Sequence, residues 1–288
     1  MMLRVLWLAY CVTLTAAADI ARSRHNLRLS EPPASHIEPE SASLVKQSPL
    51  ALGDLHELVC YLKSTLGRHF TPEKKPAVMK EGTQSCAVVS SSGAMLEHTH
   101  GQDINGHDIV IRFNGAPTSG FEPHVGGKTD VRFGWKFHEF EGDANIFKSA
   151  AFPSKTAQQV MDHLYPEQIG VSANARTDHP TTGFYGMMMA LFNCATVDAY
   201  EMAPSSKART SPYSYFQAVG GRATHNSWHG HFESEHDLWQ RLSATPAEEI
   251  MNSGKSHYVG FRDVQCDAAA FAQSNRTMLA MQPNITVH

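Results

Sequence analysis

Two short segments, CAVVSSSG (residues 86–93) and DIVIRFNGAP (residues 108–117), decide the fold of this chain. Each contains a short apolar run and ends in small or polar residues. Such runs are typical of strands that are buried on both faces of a parallel sheet. Open α/β sheets bind their ligands in turns at the carboxyl ends of these strands. We therefore expect two parallel strands whose ends contribute to a ligand site.

A third unit predicts a helix followed by a strand. Thr181, Thr182 and Gly183 precede an apolar segment, residues 184–194, that is long enough for a helix, and residues 197–202 have the pattern of a strand. Farther upstream, apolar residues recur at helical spacing between residues 55 and 66, after a candidate cap and before a glycine. These patterns predict an α/β domain of the nucleotide-binding type.

The composition is that of a globular protein. Of the 288 residues, 42% are apolar and 18% are charged, so the chain can bury the core of one substantial domain. The formal net charge is only −4 and no block of Lys and Arg is present. This excludes the clustered positive charge on which nucleic-acid-binding proteins depend.

The N-terminal region predicts entry into the secretory pathway. Arg4 precedes an apolar run, residues 5–18, that ends in three alanines, so residues 1–20 are either a cleaved signal peptide or a signal-anchor. Three arginines between residues 22 and 28 outnumber Arg4, which argues against an anchor with a cytosolic N-terminus. Residues 21–53 are rich in Pro, Ser and Glu and predict a flexible stem. The folded domain then spans residues 54–288.

In the secretory lumen, sequons can be glycosylated and cysteines can form disulfides. Asn275 and Asn284 each lie in an N-glycosylation sequon. Four cysteines follow the leader, and an even number in an oxidising compartment predicts two disulfides with three permitted pairings: Cys60, Cys86, Cys194 and Cys266. Buried free thiols are the alternative for a cytosolic chain.

Five segments, in chain order, are similar to motifs of the animal-type sialyltransferases, glycosyltransferase family 29. Residues 86–129 resemble the long motif, and residues 179–205 resemble the short motif. Residues 212–217 are similar to a tyrosine-rich stretch, and Trp228, His229 and Glu235 resemble the very short motif. Residues 260–266, GFRDVQC, look like the end of the β-galactoside α-2,6-sialyltransferases, to which the likeness is closest.

The resemblance implies a fold, a reaction and a location. The fold is a single GT-A-like (Rossmann-like) α/β domain with a mostly parallel sheet flanked by helices. The reaction moves sialic acid from CMP-sialic acid to the terminal galactose of a glycoprotein or glycolipid, by an inverting single displacement without metal or cofactor. The implied location is the Golgi or the secretory lumen, as a type II membrane protein or a secreted protein, with no nucleic-acid partner.

The resemblance places the general base at His229 and includes Glu235 among the catalytic residues. His231 is the alternative because it lies four residues before Glu235, a spacing closer to that of the polysialyl branch. An imidazole suits the role, because its ordinary pKa near 6.5 lets it accept a proton at neutral pH.

The remaining implied site residues bind the donor. Backbone N–H groups and hydroxyls at strand ends and helix starts suit its phosphate and carboxylate groups. The donor-binding candidates are Ser91, Ser92, Gly93, Asn114, Thr181, Thr182 and Gly183. Tyr213 and Gln217 are weaker candidates for contact with cytidine or acceptor.

The resemblance also implies two disulfide pairs, Cys86 with Cys194 and Cys60 with Cys266. This chain also departs from the pattern of the α-2,6 enzymes in three places. Residues 130–178 are a shorter connection than the α-2,6 enzymes have, Trp135 stands in place of an Asn, and Glu235 lies six positions beyond His229.

Two other interpretations stay open. A metal-dependent hydrolase could draw its ligands from a histidine-rich set: His98, His100, Asp103, His225, His229, His231, Glu235 and His236. The irregular very short motif and Trp135 also fit a relative that binds a nucleotide or glycan without catalysis.

Overall fold

The computed structural model describes residues 55–70, 78–80, 84–134, 146–148, 154–166, 180–217 and 231–267. All of them belong to one unit, residues 48–288. Within these ranges, no helix has the length and apolar character needed to cross a bilayer. The predicted leader, the predicted stem and both sequons lie outside the described residues, as do Trp135, His225, Trp228 and His229.

Six strands form one sheet in the order β4-β3-β2-β1-β5-β6. Their bounds are β1 Ser85–Val89, β2 Ile109–Phe113, β3 Val131–Gly134, β4 Ile146–Lys148, β5 Thr196–Tyr200 and β6 Lys255–Val259. Strands β1 to β5 run parallel and β6 pairs antiparallel with β5. Because β2 and β5 flank β1, the order reverses at β1, as in doubly wound folds. The predicted mostly parallel, Rossmann-like sheet is confirmed.

Helices cover both faces of this sheet. Their bounds are α1 Leu55–Leu66, α2 Gly101–Asn105, α3 Glu122–Val125, α4 Ser154–Leu164, α5 Thr182–Asn193, α6 Phe232–Leu242 and α7 Ala247–Ser253. Side chains alternate along a strand, so Cys86 and Val88 pack into the larger core with α1, α4, α5 and α6. Ala87 and Val89 pack into the smaller core with α2 and α3.

Helix α5 brings its first turns to the carboxyl end of β2. A Cβ atom at Gly186 would lie only 2.4 Å from Cε1 of Phe113, the last residue of β2. The missing side chain therefore lets the helix lie directly on the strand end. As a result, the first turn of α5 and the residue after β2, Asn114, lie at the same edge of the sheet.

The two disulfides have the implied pairing. Cys86 joins β1 to Cys194 at the end of α5, and Cys60 of α1 joins Cys266, which follows β6. The alternative of free thiols is wrong for all four cysteines. The predicted strand over residues 197–202 is too long, because Glu201 has a φ of 54° and leaves the extended conformation after Tyr200.

Candidate functional site

The predicted donor-binding segments meet at the carboxyl edge of the sheet. The segment at residues 212–217 joins them, because the Tyr215 N–H donates to Ser91 O at 3.0 Å and the Tyr215 hydroxyl donates to Pro117 O at 2.5 Å. The Gly93 N–H also donates to Pro212 O at 3.0 Å. The structure thus brings the turn after β1 and the turn after β2 together through one tyrosine.

Asn114 occupies a fixed, exposed position in the turn after β2. Its φ is 46°, in the left-handed region that Asn tolerates better than most residues. Its N–H donates to Phe133 O at 2.7 Å, and the Arg132 guanidinium donates to Asn114 O at 2.8 Å and to Ala116 O at 3.1 Å. The buried Arg132 therefore fixes the backbone from which the Asn114 side chain projects.

The turn after β1 is held mainly by its own groups. The Ser92 hydroxyl caps the short 3₁₀ turn Gly93–Glu97 by accepting from the Ala94 N–H at 3.2 Å. Gly93 is buried, and a Cβ atom there would lie 2.4 Å from Pro212 O. Gly93 thus permits close approach of the 212–217 segment, while Ser91 stays half-buried at the turn.

Thr181 at the start of α5 is bonded to Glu235 of α6. Its hydroxyl accepts from the Phe184 N–H at 3.1 Å, which makes Thr181 the N-cap. The same hydroxyl donates to Glu235 Oε2 at 2.5 Å, and the Thr181 N–H donates to Oε1 at 2.7 Å. The N–H groups of Thr182 and Gly183 belong to the first turn, where no partner exists within the helix. They are the groups of this turn suited to an anion.

The Glu235 carboxyl is buried, with 2% of the residue exposed. Burial raises its pKa to about 8, although the two hydrogen bonds from Thr181 act in the opposite direction. Burial together with the nearby Glu235 charge also raises the pKa of Tyr213, whose side chain is partly exposed. Gln217 is an exposed residue at the end of the 212–217 segment.

His231, immediately before α6, is buried and bonded to α4. Its Nε2 lies 2.9 Å from Asp162 Oδ1, and its buried Nδ1 has no hydrogen-bond partner within the described part of the chain. The Glu235 N–H donates to His231 O at 2.8 Å and closes the first turn of α6. His229, the base that the resemblance implies, lies outside the described residues.

Three supporting residues were missed from the sequence: Arg132, Asp162 and Tyr215. Tyr215 lies in the tyrosine-rich stretch, which indicates its position but not its role. Arg132 lies three residues beyond the long motif, and no sequence pattern indicates it. Asp162 lies on α4, in a connection that carries no motif. Nothing in the sequence pairs it with His231.

Those candidate zinc ligands that the structure describes have other partners. His98 lies 3.4 Å from Glu201, and His100 Nε2 lies 2.8 Å from Ser253 O. Asp103 accepts from Lys255 at 2.6 Å. Across the part of the chain that the structure describes, no group of three or more His, Cys, Asp or Glu side chains is arranged to hold a metal ion.

Comparisons with known proteins agree with the motif pattern. Residues 35–138 match the model of glycosyltransferase family 29 (sialyltransferase). The chain is 27% identical over 237 residues to beta-galactoside alpha-2,6-sialyltransferase 2 of Danio rerio, covering 66% of this chain and 45% of that protein. It is 25% identical over 230 residues to beta-galactoside alpha-2,6-sialyltransferase 1 of Homo sapiens, covering 63% of this chain and 55% of that protein. The chain spans about half the length of these relatives.

A crystal structure of a mammalian sialyltransferase also matches, at 24% identity and a TM-score of 0.39, over 62% of this chain and 74% of that one. The family model and the curated relatives point to the same group of proteins as the motifs. They confirm the predicted resemblance of this chain to the sialyltransferases of glycosyltransferase family 29, with the β-galactoside α-2,6-sialyltransferases among its relatives.

Proposed function

We propose that this chain is a sialyltransferase that transfers sialic acid from CMP-sialic acid to the terminal galactose of a glycan. The observation that carries the proposal is the convergence of the motif segments: Tyr215 bonds the turns after β1 and β2, and the Thr181–Glu235 bonds join the starts of α5 and α6 to each other. The relatives that the chain resembles are α-2,6-sialyltransferases by name, so we propose the α-2,6 linkage.

The donor would lie across the strand ends. Asn114 and the turn at residues 91–93 flank one side, and the first turn of α5 provides N–H groups for the phosphate or the sugar carboxylate. The acceptor hydroxyl attacks the anomeric carbon, the bond to the CMP phosphate breaks, and an imidazole from His229 or His231 accepts the hydroxyl proton. No step in this scheme requires a metal ion or cofactor.

The proposed setting is the lumen of the Golgi or the secretory pathway, with residues 1–20 as a signal peptide or signal-anchor. The disulfides Cys60–Cys266 and Cys86–Cys194 support it, because such bonds persist mainly in oxidising compartments.

The test is transfer by residues 21–288 expressed as a secreted protein. We expect transfer from CMP-sialic acid to galactose-terminated acceptors, an α-2,6 product by linkage analysis, and unchanged rates in excess EDTA. His229→Ala and His231→Ala would be assayed in parallel, and loss of turnover in one of them identifies the base. Binding of CMP without transfer to any galactoside or sialoside would refute the proposal in favour of a non-catalytic relative, and EDTA-sensitive hydrolysis would favour a metal enzyme.

A further inference from the structure

The His231 ring has two nitrogens in different situations. Nε2 lies 2.9 Å from Asp162 Oδ1, and a carboxylate can only accept, so Nε2 carries a hydrogen. In the neutral ring Nδ1 then holds a lone pair. Nδ1 is buried and has no hydrogen-bond partner among the residues that the structure describes. A buried polar atom left without a partner costs about 1–3 kcal/mol and requires an explanation.

A carboxylate on one imidazole nitrogen and a lone pair on the other is the arrangement of an oriented general base. We propose that Asp162 and His231 form a carboxylate–imidazole dyad in which Nδ1 of His231 accepts the proton of the acceptor hydroxyl and Asp162 is its positioning residue. This inference rests on the proposed function and deepens it, because it chooses His231 and adds Asp162.

The position of the dyad fits this role. His231 immediately precedes α6, and Glu235, one turn later, is bonded to Thr181 at the start of α5. His231 therefore lies one helical turn from the residue that is bonded to the start of α5. Of the described titratable groups, Asp162 contacts the ring from α4, and Glu235 lies one turn along α6 with its carboxyl directed to Thr181.

A purely structural role for Asp162 is the competing explanation, because the bond also ties α4 to α6. An asparagine would keep that bond, since its carbonyl oxygen accepts from Nε2–H as a carboxylate does. It would remove only the negative charge that stabilises the imidazolium formed when the base accepts a proton. Asp162→Asn thus separates the two roles.

We expect Asp162→Asn to lower kcat by about 10²-fold with little change in KM, since positioned general bases contribute about 10²–10⁴-fold. The melting temperature should stay near that of the wild type. Asp162→Glu, which restores the charge, should recover part of kcat.

The matched control is Tyr165→Phe. The Tyr165 hydroxyl donates to Asp237 Oδ2 at 2.8 Å, a second hydrogen bond between the α4 end and α6. Its loss should lower the melting temperature and leave kcat unchanged. Equal effects of Tyr165→Phe and Asp162→Asn on kcat would overturn the dyad.

The tautomer of His231 and the activity of the wild type separate the failure of this inference from the failure of the proposed function. ¹⁵N NMR of histidine-labelled protein should show His231 as the Nε2–H tautomer, and an Nδ1–H tautomer would overturn the dyad. Wild-type protein that transfers no sialic acid would overturn the proposed function and the base with it. Active protein whose kcat is unaffected by Asp162→Asn would overturn the dyad alone.

Discussion

At the residue scale, the buried Glu235 carboxyl controls how the site responds to pH. Because burial raises its pKa to about 8, the folded state binds a proton that the unfolded chain releases above its ordinary value of about 4.3. Unfolding therefore becomes easier as pH rises through this window. The carboxyl joins the starts of α5 and α6. The loss of stability should therefore weaken the contact between these two helices.

The variant Glu235→Gln should remove this dependence. We expect the wild type to lose stability relative to Glu235→Gln between about pH 5 and pH 8, by a few kcal/mol at most given about 1.4 kcal/mol per unit of pKa displacement. Thermal denaturation of both proteins across that range measures the difference. A constant gap between the two melting temperatures would show that the carboxyl has the same pKa in both states.

Gly93 provides a steric test of the site. In Gly93→Ala the new methyl would lie 2.4 Å from Pro212 O, so the 212–217 segment must shift, at a cost of about 1–3 kcal/mol as for other overpacked sites. CMP affinity by calorimetry and the melting temperature should both fall. Gly127→Ala is the control, because its Cβ would be 4.0 Å from the nearest atom, and it should change neither.

Single residues were predictable from the sequence only in part. The motifs indicate Ser92, Gly93 and Thr181 as donor-binding candidates, and the structure adds that the Ser92 and Thr181 hydroxyls cap helices and that Gly93 is buried against Pro212. A motif fixes which residue stands at a position. It does not show which of two partners a hydroxyl takes, because that depends on segments distant in sequence such as α6.

At the element scale, Asp198 ties together α2, β5 and β6. Its carboxylate contacts His257 Nδ1 at 2.6 Å, Lys255 Nζ at 2.8 Å and His107 Nε2 at 3.2 Å. Burial alone would raise the pKa of Asp198, but these three bonds hold it well below its usual range. The antiparallel edge strand β6 is thus fixed to its neighbour by charge as well as by the backbone ladder.

His107 makes this contact sensitive to pH. Burial opposes its charge, but the bonds from its ring to Asp198 and to Asp103 O raise its pKa above the usual value. Its contribution to stability is therefore complete below about pH 6.5 and is lost as pH rises through the raised pKa. His107→Gln should flatten this decline, by less than about 1 kcal/mol because the cluster is partly exposed. Urea titrations at pH 6 and pH 8.5 give the free energy of unfolding of both proteins. An equal decrease between the two pH values in the wild type and in His107→Gln would contradict the prediction.

The central elements were predictable because their patterns are local. Apolar runs ending in small residues predicted β1 and β2, and a long apolar segment after Thr181 predicted α5. The end of β5 was not predictable, since Glu201 adopts its left-handed φ while bonded to the Gly254 backbone. That partner is brought near only by β6.

At the scale of the whole molecule, two nested disulfides constrain the chain, with sequence separations of 206 and 108 residues. Each long closure stabilises by roughly 4–5 kcal/mol at most, and a twofold difference in loop length changes this by only about 0.6 kcal/mol. The burial of the cysteines therefore decides which of the two disulfides stabilises the fold more. Cys86 and Cys194 are almost fully buried, whereas Cys60 and Cys266 are less so.

We expect Cys86→Ala with Cys194→Ala to destabilise more than Cys60→Ala with Cys266→Ala, despite the shorter loop. The reason is that removing two buried sulfur atoms leaves a cavity in addition to the lost closure. Urea denaturation of both double variants under non-reducing conditions measures the difference. Equal or reversed losses would mean that loop length dominates.

The pairing of Cys60 with Cys266 also governs what proteolysis can do to this protein. A protease that cuts the backbone once anywhere between these two cysteines leaves both fragments covalently attached through sulfur. A nicked molecule would then run as a single species on a denaturing gel without reductant and separate into two bands only after a thiol is added.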